Sequence, residues 1–506
     1  MTAIEPTDPA LPSRVPESRV RVANREPANA DGEFVLYWMI ANRRTSHNFS
    51  LDRAIEWATF LGKPLVVFEA LRAGYQWASD RIHAFVIQGM LDNRRAFAKS
   101  PISYWPYLEP KHGDGSGAIR ELARRSAVVV SDDFPCFFLP RMTESAMRQI
   151  PVRFELIDSN GLYPMRDTSR VFSRAVDFRR HLQKNLLPHL ADQPVPEPLK
   201  RLRLKPLESM VPKFVRLWPA ADLDAFEKSL DGLSEFKIDH SVRPVSYSGG
   251  SVAAEGQLNL FLKNGLNLYH ADRNQPELQI ASGLSPWLHF GHISAHQVFG
   301  AVTKSCGWTP DDTAEKATAS KSGWWGATEP VEAFLDELVT WRELGFNMCA
   351  LTDNYDQYES LPQWARKTLA DHADDPRPFH YSMEELEYSQ THDELWNAAQ
   401  VQLVREGRIH NYLRMLWGKK IFEWSPSPQS ALQSLIHLNN KYATDGRNPN
   451  SYSGIFWVLG RYDRAWGPER PIYGKIRYMT SENTARKVRV KQYISKYRSG
   501  ESSQAE

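Results

Sequence analysis

The amino-acid sequence predicts a two-part fold, an α/β domain built on a parallel sheet followed by an all-α domain. Three observations carry this expectation. Between residues 33 and 160 short β-type runs alternate with helical ones, the pattern of a parallel sheet covered on both faces. Residues 161 to 255 are rich in proline, as in PVPEPLKRLRLKPLESMVPKF, and read as an interdomain linker. From Gly256 to residue 506 the strand signals stop and apolar residues recur at helical spacing. With 506 residues, 42% hydrophobic and 24% charged, the chain is long enough for two or three domains with a large core.

The elements follow in order. Residues 1 to 32 hold Pro, Ala and Arg without periodicity and predict a mobile tail or a surface strap. FVLYWMI at 34–40 opens the sheet, then come a helix over about 50–61, PLVVFEA at 64–70 and a helix over about 79–98. SYWPYL near 103, a helix near 117–126, AVVVSDD at 127–133, a helix near 141–149 and VRFELID at 152–158 complete a Rossmann-like succession. No Gly-rich fingerprint follows the first strand, which argues against NAD binding. The linker carries one helix near 173–186. In the helical part, PVEAFLDELVTWRELGFNM at 330–348 reads as one amphipathic helix with Glu337 and Trp341 a turn apart on one face. Val401, Val404, Ile409, Leu413, Leu416, Ile421 and Trp424 mark a buried helical face with Gly407 as a break, and a second helix carries Asn439 into the polar stop Asp445-Gly446-Arg447.

Composition narrows the function classes. Cys136, Cys306 and Cys349 form no CxxC and no even disulfide framework, so a reducing cytoplasm is the expected home. No run of 18 apolar residues exists, and the first 31 residues hold no apolar stretch fit for a signal peptide, so neither a membrane span nor export is expected. Sixteen tryptophans suit a protein that stacks rings on rings. The net charge of +2 hides an asymmetry, because residues 401–506 hold 18 Lys and Arg against 8 Asp and Glu. A phosphate backbone would be drawn to that end of the chain.

Several side chains point to chemistry. Trp417 and Trp424 are seven residues apart on one helical face, with centres separated by roughly 10 Å along the axis, a spacing suited to a stepping-stone electron path. Arg414 lies a turn before Trp417, and a guanidinium in a core needs a carboxylate or a polar ligand. In YHADRNQPELQIASGLSPWLHFGHIS at 269–294, small and hydroxyl residues from Ala281 to Ser285 precede Pro286 at a helix start, where free backbone N–H groups can hold a phosphate.

THDELWNAAQ at 391–400, RMLWGKKIFEW at 414–424, Leu438-Asn439, DGRNPNSYSG at 445–454, and DRAW followed by GKIRYM resemble, in this order, the flavin domain of the photolyase and cryptochrome superfamily. Within it they resemble the class II cyclobutane pyrimidine dimer photolyases, most strongly from about Tyr269 onward.

The resemblance implies a monomeric, light-driven DNA-repair lyase acting on ultraviolet-damaged DNA with FAD as its catalytic cofactor. It also implies an antenna chromophore of deazaflavin or folate type in the first domain, with nothing in residues 33–160 specifying which. Tyr269, Ala281, Ser282, Gly283, Leu284 and Ser285 would line the flavin's pyrophosphate loop, and Asn411, Gly446 and Arg447 the rest of its pocket. Arg414 and Asp445 would form the ion pair beside the isoalloxazine, with the neutral amide of Asn439 at flavin N5. Trp417 would be the ring nearest the flavin and Trp396 the outer member of the class II dyad, with Trp424 and Tyr381 as side branches. Glu337 would hydrogen-bond the thymine dimer between Trp341 and Trp457, and Arg464 would meet the DNA or fill the gap left by the flipped bases. No metal is expected. The rival readings are a cryptochrome-like photoreceptor and a (6-4) photoproduct photolyase.

Overall fold

The computed structural model describes residues 11–210 and 212–498. The chain divides into two compact units: one formed by the segment up to Thr168 with Leu186–Gln257 and Leu284–Ala301, the other by Ser169–Asn185, Leu258–Gly283 and the segment from Val302 onward.

The first unit is the α/β part. Its sheet contains β1 (Val20–Val22), β2 (Phe34–Met39), β3 (Leu65–Leu71), β4 (Ser103–Leu108), β5 (Ser126–Asp132) and β6 (Phe154–Ile157), in the order β1-β6-β5-β2-β3-β4. All neighbours are parallel except β1 and β6. Counting from β2, the parallel strands run 3-2-1-4-5, the doubly wound order in which the winding reverses between β2 and β5. FVLYWM of β2 and SAVVVSD of β5 are buried at every position, as strands covered on both faces must be.

At that reversal point, where such folds open a ligand crevice, the chain supplies its own anion. Asp132 at the end of β5 accepts from the backbone N–H groups of Ile40, Ala41 and Asn42 at 2.9, 2.7 and 3.0 Å, and from the Tyr37 hydroxyl at 2.9 Å. A carboxylate thus sits on the N–H groups that a cofactor phosphate would need, in keeping with the missing glycine fingerprint.

Two sequence expectations change here. The expected tail over residues 1–32 is in part an edge strand: β1 pairs antiparallel with β6, and the buried Arg19 donates to the carbonyls of Asp158, Gly161 and Leu162 at 3.3, 3.1 and 2.7 Å. A three-residue strand is too short to show alternation, and its partner is more than 130 residues away. Residues 1–10 of that expected tail lie outside the described residues. The expected linker is also more than a connection, because Leu186–Gln257 belongs to the first unit. There Phe214 packs edge-on against Phe68 and Trp105, and the Trp105 indole donates to the Trp218 carbonyl at 3.0 Å.

The second unit is helical. The helix expected at 330–348 is one rod with an irregular centre: α-helix Glu329–Leu335, a π-helical turn Asp336–Trp341, and α-helix Arg342–Leu351. Asp336, first in the π turn, is held by two guanidinium nitrogens of buried Arg179, Nε and Nη2, at 2.6 and 2.9 Å. Further on, helices Glu394–Glu406, Asn411–Trp424, Pro428–Tyr442 and Pro449–Val458 pack on one another. Gly407 ends the first of these with φ 64°, a left-handed cap that glycine adopts without strain. Among the described residues no helix is long and apolar enough to cross a membrane.

Candidate active site

The polar stop after helix Pro428–Tyr442 is built around a close backbone approach. A Cβ on Gly446 would meet the Asn439 carbonyl oxygen at 2.7 Å and the Ala443 oxygen at 3.0 Å, so only glycine fits without a shift. Arg447, buried and at φ 63°, turns its guanidinium onto the carbonyls of Asn440, Ala443 and Thr444 at and just past the helix end. The loop so fixed presents Asp445 to Arg414, one turn into the preceding helix Asn411–Trp424, at 3.3 Å. Asn439 is 3% exposed, and its amide nitrogen donates to the Asn440 side chain at 3.1 Å. Asn411 is the exposed first residue of helix Asn411–Trp424. Burial lowers the preceding His410 to about 4, so it is neutral near pH 7.

The aromatic residues meet differently from their spacing. Trp417 and Trp424 do share one helix, and Trp396 of helix Glu394–Glu406 packs against that helix. Its indole donates to the Trp417 carbonyl at 3.0 Å and its ring stands edge-on to Trp424 at 5.4 Å. Tyr381 in turn stands edge-on to Trp424 at 5.1 Å. All three tryptophans are buried, at 3%, 0% and 2% exposure for Trp417, Trp396 and Trp424. The Trp417 indole donates to fully buried Gln400 at 2.9 Å.

A second cluster surrounds the π turn. Trp341, at its end, and Trp457 face each other at 5.9 Å with planes 45° apart, both half-exposed. Glu337, in the same turn, accepts from Arg273 at 2.9 Å, and that guanidinium lies over the Tyr269 ring at 5.3 Å. Burial raises the Glu337 carboxyl and Asp336 adds to this, while Arg273 opposes it. With a guanidinium at contact and the side chain 31% exposed, the ionised, paired form is the one this geometry favours. Beside Trp457 the guanidinium of Arg477 sits 5.6 Å from that ring and 4.4 Å from Trp466, fixed by Asp463 at 3.0 Å. Exposed Arg464 covers Trp466 from 4.6 Å. At the end of the described chain, Tyr493 and Tyr497 anchor helix Lys491–Lys496 through Gln402 and Glu406 at 2.7 and 2.6 Å, leaving Lys491 and Lys496 exposed.

The protein shares 32% identity over 485 residues with the deoxyribodipyrimidine photo-lyase of Methanothermobacter thermautotrophicus, covering 95% of this chain and 98% of that one. It shares 34% with the enzyme of that name from Oryza sativa subsp. japonica, covering 96% and 92%. The chain belongs to the deoxyribodipyrimidine photo-lyase family of DNA-photorepair enzymes. No protein-family model matches it. Its fold is shared with a class III photolyase from Agrobacterium tumefaciens (TM-score 0.65, 17% identity, 92% of this chain and 86% of that one). It is shared also with a cryptochrome from Synechocystis (TM-score 0.61, 14% identity, 92% and 88%).

Within a photo-lyase the two clusters suit different tasks, one enclosed and polar in an aromatic core, the other open to solvent and walled by indoles. The residues of the predicted phosphate loop divide between the units, Ala281 to Gly283 in the second and Leu284 and Ser285 in the first. The helix there runs Ser285–His289, with Leu284 rather than a serine at the N-cap. Sequence reasoning did not single out Arg273, Gln400 or Arg477. Arg273 had a signal, since it follows Tyr269 by one turn; Gln400 and Arg477 had none, because their partners come from other helices.

Proposed function

We propose that this photo-lyase is a class II enzyme that splits cyclobutane pyrimidine dimers in ultraviolet-damaged DNA. The observation that carries the reading is the half-exposed Trp341–Trp457 pair with Glu337 in the same π turn. Two indole faces give a flipped dinucleotide apolar walls, and Glu337 with Arg273 gives its base edges an acceptor and a donor. Exposed Arg464, Lys491 and Lys496, with the basic run from Lys475 to Arg498, would meet phosphates, and Arg477 holds Trp457 in place.

The enclosed cluster fits FAD, which a solved archaeal photolyase of the same fold holds in two copies. A buried neutral amide at Asn439, the Arg414–Asp445 pair and a loop with no room for a Cβ at Gly446 suit a flat, polar, redox-active ring. Bound there, the flavin would supply light absorption and one-electron chemistry. Asn439 would face its N5 without imposing a proton, Arg414 with Asp445 would set the charge beside the ring, and Asn411, Gly446 and Arg447 would shape the pocket. Tyr269 and Ala281, Ser282, Gly283, Leu284 and Ser285 would hold the pyrophosphate with backbone N–H groups and hydroxyls. Trp417, Trp396, Trp424 and Tyr381 would relay electrons inward when the flavin needs reduction, and the position of these tryptophans in the chain is the feature that favours class II.

The remaining proposals concern setting: a cytoplasmic monomer with a deazaflavin or folate antenna in the first unit. The test is repair of an oligonucleotide with one cyclobutane dimer by the reduced holoprotein under blue light, with a dark control and a (6-4) oligonucleotide in parallel. Light-dependent restoration of the cyclobutane substrate alone supports the reading. A flavin-bearing protein that repairs neither lesion overturns it in favour of a photoreceptor.

A further inference from the structure

Tyr381 and His392 form a pair that the relay of tryptophans leaves unexplained. The Tyr381 hydroxyl accepts the backbone N–H of His392 at 3.1 Å and is hydrogen-bonded to Nδ1 of the same residue's imidazole. In the tautomer that carries its ring proton on Nε2, Nδ1 accepts the phenolic proton. The imidazole is clamped between rings, stacked on Phe379 at 3.8 Å and standing 5.5 Å from Trp424. His392 is exposed and Phe379 is 43% exposed, so this end of the aromatic chain opens to water, whereas Trp424 behind it is 2% exposed.

We propose that Tyr381 and His392 act as one proton-coupled electron donor that ends the aromatic relay, with His392 as the base; this rests on the electron path proposed above. The step balances as follows. A photoexcited oxidised flavin is the oxidant, and the electron vacancy it creates passes outward to Trp424. One electron moves from Tyr381 to Trp424 and restores the neutral indole. The phenolic proton moves from the Tyr381 oxygen to Nδ1 of His392, giving a neutral tyrosyl radical and an imidazolium, which then releases a proton to solvent from its exposed face.

The physical reason for the pair lies in the phenol. Oxidised tyrosine that keeps its proton is a strong acid, so the vacancy settles on Tyr381 only if a base takes the proton as the electron leaves. Imidazole is the one side chain whose ordinary titration range makes it both a free base and a ready acid near neutrality. Nδ1 is already in hydrogen-bond contact with the phenolic oxygen, and no side chain has to move. The vacancy then sits at the water-exposed end of the chain, away from the flavin, and its return is slowed until an external thiol re-reduces the tyrosyl.

The structural alternative is that the pair only closes the turn before helix Glu394–Glu406, and the test separates the two. Transient absorption after flash excitation of the oxidised, flavin-loaded protein is recorded for wild type, Tyr381→Phe, His392→Phe and His392→Gln, in water and in deuterium oxide. Tyr381→Phe identifies the tyrosyl signal by its loss. In wild type a tryptophan signal is expected to give way to a neutral tyrosyl signal, more slowly in deuterium oxide. His392→Phe keeps a flat ring for the Phe379 stack but has no base, and His392→Gln keeps an acceptor that cannot take a proton. In both, tyrosyl formation is expected to slow by ~100-fold, the lower end of what a positioned general base contributes. Equal flavin content across the set shows that the variants fold. Tyrosyl formation at the wild-type rate in both His392 variants overturns the inference. Tryptophan radicals without any tyrosyl in wild type overturn it while leaving the electron path standing; absence of tryptophan radicals in wild type overturns both.

Discussion

Lys419 offers a sharp test of how tightly the second unit is packed behind the proposed lesion site. It is 1% exposed on helix Asn411–Trp424, and its ammonium group donates to the Val458 carbonyl at 2.5 Å, next to Trp457. Burial lowers it from 10.5 to about 7; Asp463 opposes this, and Arg477 adds to it. A displacement from 10.5 to about 7 corresponds to roughly 5 kcal/mol between the two protonation states. The sign follows from linkage. Between about pH 7 and 10.5 the unfolded chain binds this proton and the folded one does not, so stability rises with pH across that window and the burial cost is full below it. Lys419→Met keeps the volume and removes the titration. It also strips the Val458 carbonyl of its donor, at ~1–3 kcal/mol independent of pH. Urea denaturation followed by tryptophan fluorescence, with both proteins measured from pH 6 to 10, isolates the difference, since other titrating groups are common to both. The variant is expected to gain on wild type at the low end and to fall behind at the high end. Midpoints that run parallel across the whole range would refute the reasoning, because a parallel offset means that Lys419 keeps its proton in the folded state.

Three further substitutions probe the proposed chemistry. Gly446→Ala places a Cβ 2.7 Å from the Asn439 oxygen, where the neighbours are backbone and cannot yield easily, so a loss of ~1–3 kcal/mol and weakened flavin retention are expected, read by thermal melting and bound-flavin absorbance. Glu337→Ala removes a partly exposed ion pair and should change stability by under ~1 kcal/mol, yet lower the repair yield with flavin still bound; an unaltered yield removes Glu337 from the site. Trp417→Phe should slow photoreduction of the oxidised holoprotein while repair by chemically reduced protein stays near wild type. It also leaves Gln400 without its indole donor, a cost of ~1–3 kcal/mol, so Gln400→Leu, which keeps the indole, serves as the control that separates destabilisation from loss of the electron step.

What was legible in the sequence follows from the range of the interactions. The buried strands of the sheet announce themselves because each is a continuous apolar run, and Gly407 because a left-handed cap is a local matter. Edge strand β1 stayed hidden since three residues carry no period, and its place is set by β6 far along the chain. The order of Trp417, Trp396, Trp424 and Tyr381 was read only from resemblance. Spacing joined Trp417 to Trp424 directly, whereas the Trp396 ring that stands against Trp424 comes from another helix, where no periodicity can show it.

The π turn makes the same argument at the point where fold becomes function. Residues 330–348 have the periodicity of a plain α-helix, and a plain helix would place Glu337 and Trp341 one above the other. The turn Asp336–Trp341 widens instead, at the residue held by two guanidinium nitrogens of Arg179, from a segment 157 positions earlier. A π turn gives up well-aligned helical hydrogen bonds and persists where something else holds it, which here is a buried bidentate ion pair. What it yields is an arrangement of Glu337 and Trp341 set by that anchor rather than by helical repeat, facing Arg273 on one side and Trp457 on the other. Arg179 therefore positions the proposed lesion site without touching it, and the residue that shapes the site most is one that no local pattern around Glu337 could have named.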